Sequence, residues 1–150
     1  MKLFLTSKIG ATIHKNGLRI PGRIDNRWGF LTHFQDAVKS TKQLLYISST
    51  PENNEKVTDW FYNTIAALDK DKIHFERNIL VNGQNAMLLD ELIEQSDVIF
   101  LSGGHLPTQN QFFQDIKLKA RLSNFNGVIV AQSAGSMNCA EKVYVCPELP

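Results

Sequence analysis

The sequence predicts a doubly wound α/β domain, a mostly parallel sheet with helices on both faces. Three observations carry that expectation. Short apolar runs bounded by polar residues or glycine recur along the chain, as buried parallel strands do. Segments of helical period separate them. Strands alternating with helices fold through right-handed crossovers onto a parallel sheet. At 150 residues the chain is read as one domain, 1–150, long enough to enclose a hydrophobic core.

The expected strands are Lys2–Thr6, Gln43–Ser48, Ile73–Val81, Val98–Leu101 and Val128–Ala131. The first expected helix repeats Phe30, Phe34 and Val38 at four-residue spacing. The second repeats Val57, Phe61 and Ile65, with Trp60 and Leu68 beside the stripe. A third carries Leu88, Leu89, Leu92 and Ile93, and a fourth Phe112, Phe113 and Ile116. Thr50-Pro51 reads as an N-cap followed by proline in the first turn, and Thr108 with Gln111 as a capping box preceded by Pro107. Residues 7–28, with three glycines and a proline, read as a long loop or small hairpin. Such a loop follows the first strand and so lies at the carboxyl edge of the sheet, where open α/β sheets bind ligands. Its Arg19, Arg23 and Arg27 are read first as solvated charge, with an anionic substrate as the alternative.

Composition narrows the function classes. The formal net charge is +1 and the basic residues are scattered, so no nucleic-acid partner is expected. No run is long enough for a membrane span, and the apolar start at Met1 breaks off at Ser7-Lys8, too soon for a signal peptide. Cys139 and Cys146 fit neither a zinc pattern nor a disulfide framework, so both are expected as thiols in a cytoplasmic protein. His14, His33, His74 and His105 show no metal-ligand spacing, so no metal site is expected.

The chemistry concentrates in Gly127–Glu141, G-V-I-V-A-Q-S-A-G-S-M-N-C-A-E. An apolar strand runs into A-Q-S-A-G and then into a short helix, the strand–turn–helix setting of a nucleophile elbow. The turn lifts Ser133 above the sheet edge, while Ala131, Ala134 and Gly135 let backbones pass closely. The helix start aims free amides at the same point, favouring an oxyanion. A second block, Leu101-Ser102-Gly103-Gly104-His105, also follows a strand. Its paired glycines leave N–H groups exposed, and the Gly104 and Ala134 amides are expected to form an oxyanion hole. S-G-G-H fits no phosphate-binding signature. Gln132, Gln109 and Asn110 are candidate pocket residues, as is His105, which is also the candidate substitute base. Cys139 stands six residues beyond Ser133, outside the elbow, and is not read as the nucleophile.

The S-G-G-H-L-P-T-Q-N block followed by A-Q-S-A-G-S resembles the dipeptidase E and cyanophycinase family of serine peptidases. Leu3–Ser7 and Tyr46–Thr50 add to the likeness, which spans essentially the whole chain. The resemblance implies a class I glutamine amidotransferase-like fold, a flavodoxin-like three-layer sandwich. It implies Ser133 as nucleophile, Gly103, Gly104 and Ala134 as the oxyanion site, and Glu148 as the acidic triad member. The family histidine would follow the acid, past Pro150, so residues 1–150 are expected to be C-terminally incomplete. The implied activity is hydrolysis of small peptides through a Ser133 acyl-enzyme, without cofactor. The alternative is a non-catalytic binding or assembly module of the same fold. A sheet cut at this point would expose an edge suited to homodimer formation.

Overall fold

The computed structural model describes residues 1–145. Five parallel strands form the central sheet: β1 (Lys2–Thr6), β4 (Gln43–Ile47), β5 (Arg77–Val81), β6 (Val98–Leu101) and β7 (Val128–Gln132). Their order across the sheet is β1-β7-β6-β4-β5. A separate antiparallel hairpin, β2 (Thr12–Lys15) and β3 (Leu18–Pro21), occupies the irregular segment after β1.

Alternation along the strands divides the core into two layers, because successive side chains leave opposite faces. Leu44 and Tyr46, Val98 and Phe100, Val128 and Val130 project to one face. There they meet Phe34 of α1 (Phe30–Ala37) and Val57, Phe61 and Leu68 of α2 (Glu55–Lys70). Leu45 and Ile47, Ile99 and Leu101, Ile129 and Ala131 project to the other. That face is covered by Leu89, Leu92 and Ile93 of α3 (Leu89–Glu94), by Phe113 of α4 (Leu106–Asp115) and by Leu118 of α5 (Leu118–Arg121). The molecule is therefore a three-layer α/β sandwich of flavodoxin-like form, as the strand–helix alternation predicts. Among the described residues, no helix is long and apolar enough to cross a membrane.

Three local expectations are corrected. Thr50-Pro51 does not open α2; the helix is capped by Asn54, whose Oδ1 accepts the Val57 N–H at 3.1 Å. Pro51 instead turns the chain, its carbonyl accepting the Gly83 N–H at 2.7 Å. Thr108 lies inside α4 rather than at its cap, because Pro107 already occupies the first turn and the N-cap position falls to His105. The strand expected from Ile73 begins only at Arg77. Lys72 takes a positive φ of 61° as the chain reverses after α2, and Ile73 and Phe75 serve the core from the connecting loop.

Adjacent strands β4 and β6 send their connections to opposite faces, α2 to one and α4 to the other. This makes a topological switch point, with a crevice at the carboxyl ends of the strands. The glycine loop after β6 and the turn after β7 both open there.

Candidate active site

β7 ends at Gln132, and a four-residue helix, α6 (Ala134–Met137), begins one residue later. Ser133 makes the whole turn, with φ 49° and ψ −116°. A side chain is strained there, so surrounding contacts must hold it. They are visible on every side. Ser133 N–H donates to the Thr6 carbonyl at 2.8 Å, and Met137 N–H donates to the Ser133 carbonyl at 3.1 Å. The Ser136 hydroxyl lies 2.7 Å from the carbonyls of both Thr6 and Ala131, and accepts the Thr6 N–H at 3.0 Å. Thr6 Oγ1 donates to the Ala131 carbonyl at 2.8 Å. The end of β1 thus clamps the turn that β7 makes.

Gly135 explains why small residues flank Ser133. A Cβ at that position would stand 2.6 Å from the Leu101 carbonyl oxygen and 2.8 Å from that of Ser102. Only glycine lets α6 lie against the end of β6 without displacing backbone. Across this contact, a Cβ on Gly103 would stand 3.4 Å from Ser133 Cβ and 4.0 Å from its Oγ. Gly104 has a φ of 151°, and a Cβ there would lie 2.5 Å from Ser49 Cβ. Gly104 is required by its close approach to the end of β4, whereas at Gly103 a Cβ would only reach ordinary van der Waals contact with Ser133.

The residues read from the sequence as an oxyanion site are therefore brought together with Ser133. Among the described residues, the N–H groups of Gly103, Gly104 and Ala134 have no hydrogen-bond acceptor. Gly103 and Gly104 line the same opening as the exposed Ser133, and unclaimed backbone donors are groups that can receive an anion.

A cavity of about 230 Å³ opens at this point, lined by Ser133, Gln132, Gly103, Gly104, Tyr46, Trp60 and the segment from Ser7 to Thr12, with His14 at its rim. Gln132 lines it as expected. No Asp or Glu lines it, while Lys8 and His14 do, so the lining is neutral to basic. The arginines are elsewhere. Arg19 pairs with Asp59 of α2 at 2.8 Å, Arg27 pairs with Asp25, and Arg23 is exposed away from the lining. A larger cavity, about 730 Å³, lies at the amino ends of β1, β6 and β7. It is the wrong end of an open α/β sheet for ligand binding, and its Asp97 is committed to the N–H groups of Lys42 and Gln43.

His105 is exposed and does not line the Ser133 cavity. Its Nδ1 pairs with Thr108 Oγ1 at 2.8 Å, which makes it a local brace at the start of α4 rather than a base facing Ser133. Gln109 and Asn110, the other candidate pocket residues, do not line the cavity, and Gln109 is fully buried beneath the glycine loop. Ser133 Oγ itself has no hydrogen-bond partner among the described residues. Glu148 lies outside the described residues, as does Cys146. Cys139 points its Sγ at the Gly135 carbonyl, and partial burial pushes its thiol up, away from a reactive thiolate. Among the described residues no cluster of His, Cys, Asp and Glu could hold a metal ion.

Lys8, His14, Trp60 and the Thr6–Ser136 clamp went unrecognised as site residues in the sequence. The signal for Lys8 and His14 was the position of the irregular segment at the carboxyl edge. The clamp had none, because a serine and a threonine so far apart in sequence announce nothing until the sheet pairs β1 with β7.

Compared with known proteins, the chain matches no family model and no curated protein.

Proposed function

We propose that the chain is a serine-type peptidase resembling the dipeptidase E and cyanophycinase family, acting on small peptides. The strained backbone of Ser133, φ 49° and ψ −116° between β7 and α6, carries the reading. A side chain held there at a cost of about 1–3 kcal/mol is a feature that clusters at active sites. Ser133 Oγ attacks the scissile carbonyl, forming an ester while the amine leaves with a proton. The N–H groups of Gly103, Gly104 and Ala134 receive the charge that develops on the carbonyl oxygen. Water then hydrolyses the ester and frees Ser133.

The base is a histidine outside residues 1–150, steadied by Glu148, as the resemblance implies. The open cavity of about 230 Å³ suits a short peptide better than a folded protein, and Lys8, with no ion-pair partner among the described residues, would favour a carboxylate on it. No cofactor enters the scheme, and the protein is assigned to the cytoplasm on its cysteine usage.

One observation favours a second reading. Ser133 Oγ has no base within hydrogen-bond reach among the described residues, and a binding or assembly module of the same fold would need none. The two readings separate by labelling with a fluorophosphonate probe, followed by peptide mapping. Labelling at Ser133 that is lost in Ser133→Ala supports the peptidase. Absence of labelling in every form of the protein supports the module.

A further inference from the structure

Gln109 is a buried amide with no exposed surface, one turn into α4. Its Nε2 donates to the Ser102 carbonyl at 2.6 Å, and its Oε1 accepts from Asn138 Nδ2 at 2.9 Å. The orientation is fixed by chemistry, since a backbone carbonyl can only accept and the amide nitrogen must therefore face Ser102. Asn138 is the C-cap residue of α6, its own N–H donating to the Ala134 carbonyl at 2.9 Å. A single side chain thus joins the glycine loop after β6 to the helix that follows Ser133.

The Ser102 carbonyl and the Gly103 N–H belong to one peptide unit. That unit is planar and trans, so the two groups point in opposite directions. Drawing the carbonyl inward onto Gln109 turns the Gly103 N–H outward, to the side where it has no acceptor among the described residues. Ser102's own hydroxyl is buried without a partner among the described residues, so it does not steady the loop. Glycine at 103 and 104 leaves the backbone free to rotate unless something holds it.

We infer that Gln109 is a positioning residue, which sets the Gly103 N–H as an oxyanion donor by pinning the Ser102 carbonyl. The inference rests on reading Ser133 as the nucleophile. The residue touches neither substrate nor the reacting atoms; it acts through the peptide plane.

The test compares the full chain with Gln109→Met and Gln109→Glu, reading the rate of fluorophosphonate labelling at Ser133 and the Gly103 amide resonance by NMR. Gln109→Met keeps the volume but cannot donate. With core resonances retained, its labelling is expected to slow about 100-fold, the lower end of the scale for losing an oxyanion donor, and the Gly103 resonance is expected to move. Gln109→Glu tells positioning from packing. An ionised carboxylate has no proton for the Ser102 carbonyl, whereas the protonated acid does. Its labelling rate relative to the parent chain should therefore climb as pH falls. If Gln109→Met does not fold, the Glu variant alone decides. Labelling of Gln109→Met at the parent rate with an unmoved Gly103 resonance, or a flat pH ratio for Gln109→Glu, overturns the inference. If neither the parent chain nor the longest polypeptide that the open reading frame encodes is labelled, the nucleophile reading is what fails. The Gly103 resonance in Gln109→Met then decides the pin by itself, movement supporting it and constancy refuting it.

Discussion

The hydroxyl of Ser136 closes on both polar groups of the Thr6 backbone, accepting its N–H at 3.0 Å and lying 2.7 Å from its carbonyl oxygen. The two residues are 130 positions apart, and their contact ties the end of the edge strand β1 to the helix behind Ser133. Ser136→Ala leaves the Thr6 N–H without this partner, at a cost of about 1–3 kcal/mol for an unsatisfied group. Chemical denaturation should register that loss. Labelling of Ser133 should slow in the same variant while the central strands keep their amide-exchange protection, since the damage is confined to the turn.

Ser133 holds a conformation that glycine adopts freely and other residues only at a cost. Ser133→Gly relieves about 1–3 kcal/mol of strain and adds about 0.5–1 kcal/mol of chain entropy to the unfolded state. The expected result is a variant about 1 kcal/mol more stable than Ser133→Ala, with both inert to a serine probe. Equal denaturation midpoints for the two would mean that the turn is not strained.

Gly104 and Ser49 exclude each other's growth. A Cβ on Gly104 would lie 2.5 Å from Ser49 Cβ at a φ of 151°. Gly104→Ala is expected to cost about 1–3 kcal/mol, as overpacking does. Adding Ser49→Gly removes the clash but leaves the backbone strain, so the double variant should recover part of the loss. A double-mutant cycle that closes additively would show that the two residues do not touch.

How far the sequence reveals this molecule depends on the range of the forces involved. The central strands β4, β6 and β7 are legible because a strand buried on both faces is mostly apolar, as Val98–Leu101 is. The edge strand β1, expected as buried, leaves Leu3 and Leu5 exposed. The Ser133 turn is legible because close packing demands small neighbours, and Ala131, Ala134 and Gly135 supply them. Helix starts are less so. Thr50-Pro51 carries a cap signature, yet Asn54 takes that role because Pro51 is engaged by Gly83 across the β5 loop. Thr108 likewise carries a capping pattern, but the chain turns helical before it. In both cases a tertiary contact or an earlier proline overrides a sound local preference. Gln109 misleads in another way. Glutamine is usually exposed, and only the meeting of α4 with α6 reveals that it is buried and doubly bonded.

Tyr46 gives the fold a dependence on alkaline pH. Its side chain is almost wholly buried, and burial holds its phenol neutral well above the ordinary range. In the unfolded chain the same group titrates near about 10. Above that pH the unfolded state releases a proton that the native state retains, so native stability falls as pH rises. Tyr46→Phe removes this contribution. Its stability should decline above about pH 10 less steeply than the parent's, by about 1.4 kcal/mol per pH unit. Denaturant titrations at a series of alkaline pH values measure the difference, and parallel slopes would mean that Tyr46 ionises in the fold.

The account turns on whether Ser133 is a nucleophile. The most direct measurement is fluorophosphonate labelling with peptide mapping, on residues 1–150, on the longest polypeptide that the open reading frame encodes, and on Ser133→Ala forms of each. The account predicts a single adduct at Ser133, abolished by the substitution, and stronger wherever a histidine beyond Glu148 is present. No adduct at Ser133 in any form, with the protein folded, would contradict it and leave a binding module built on the same turn.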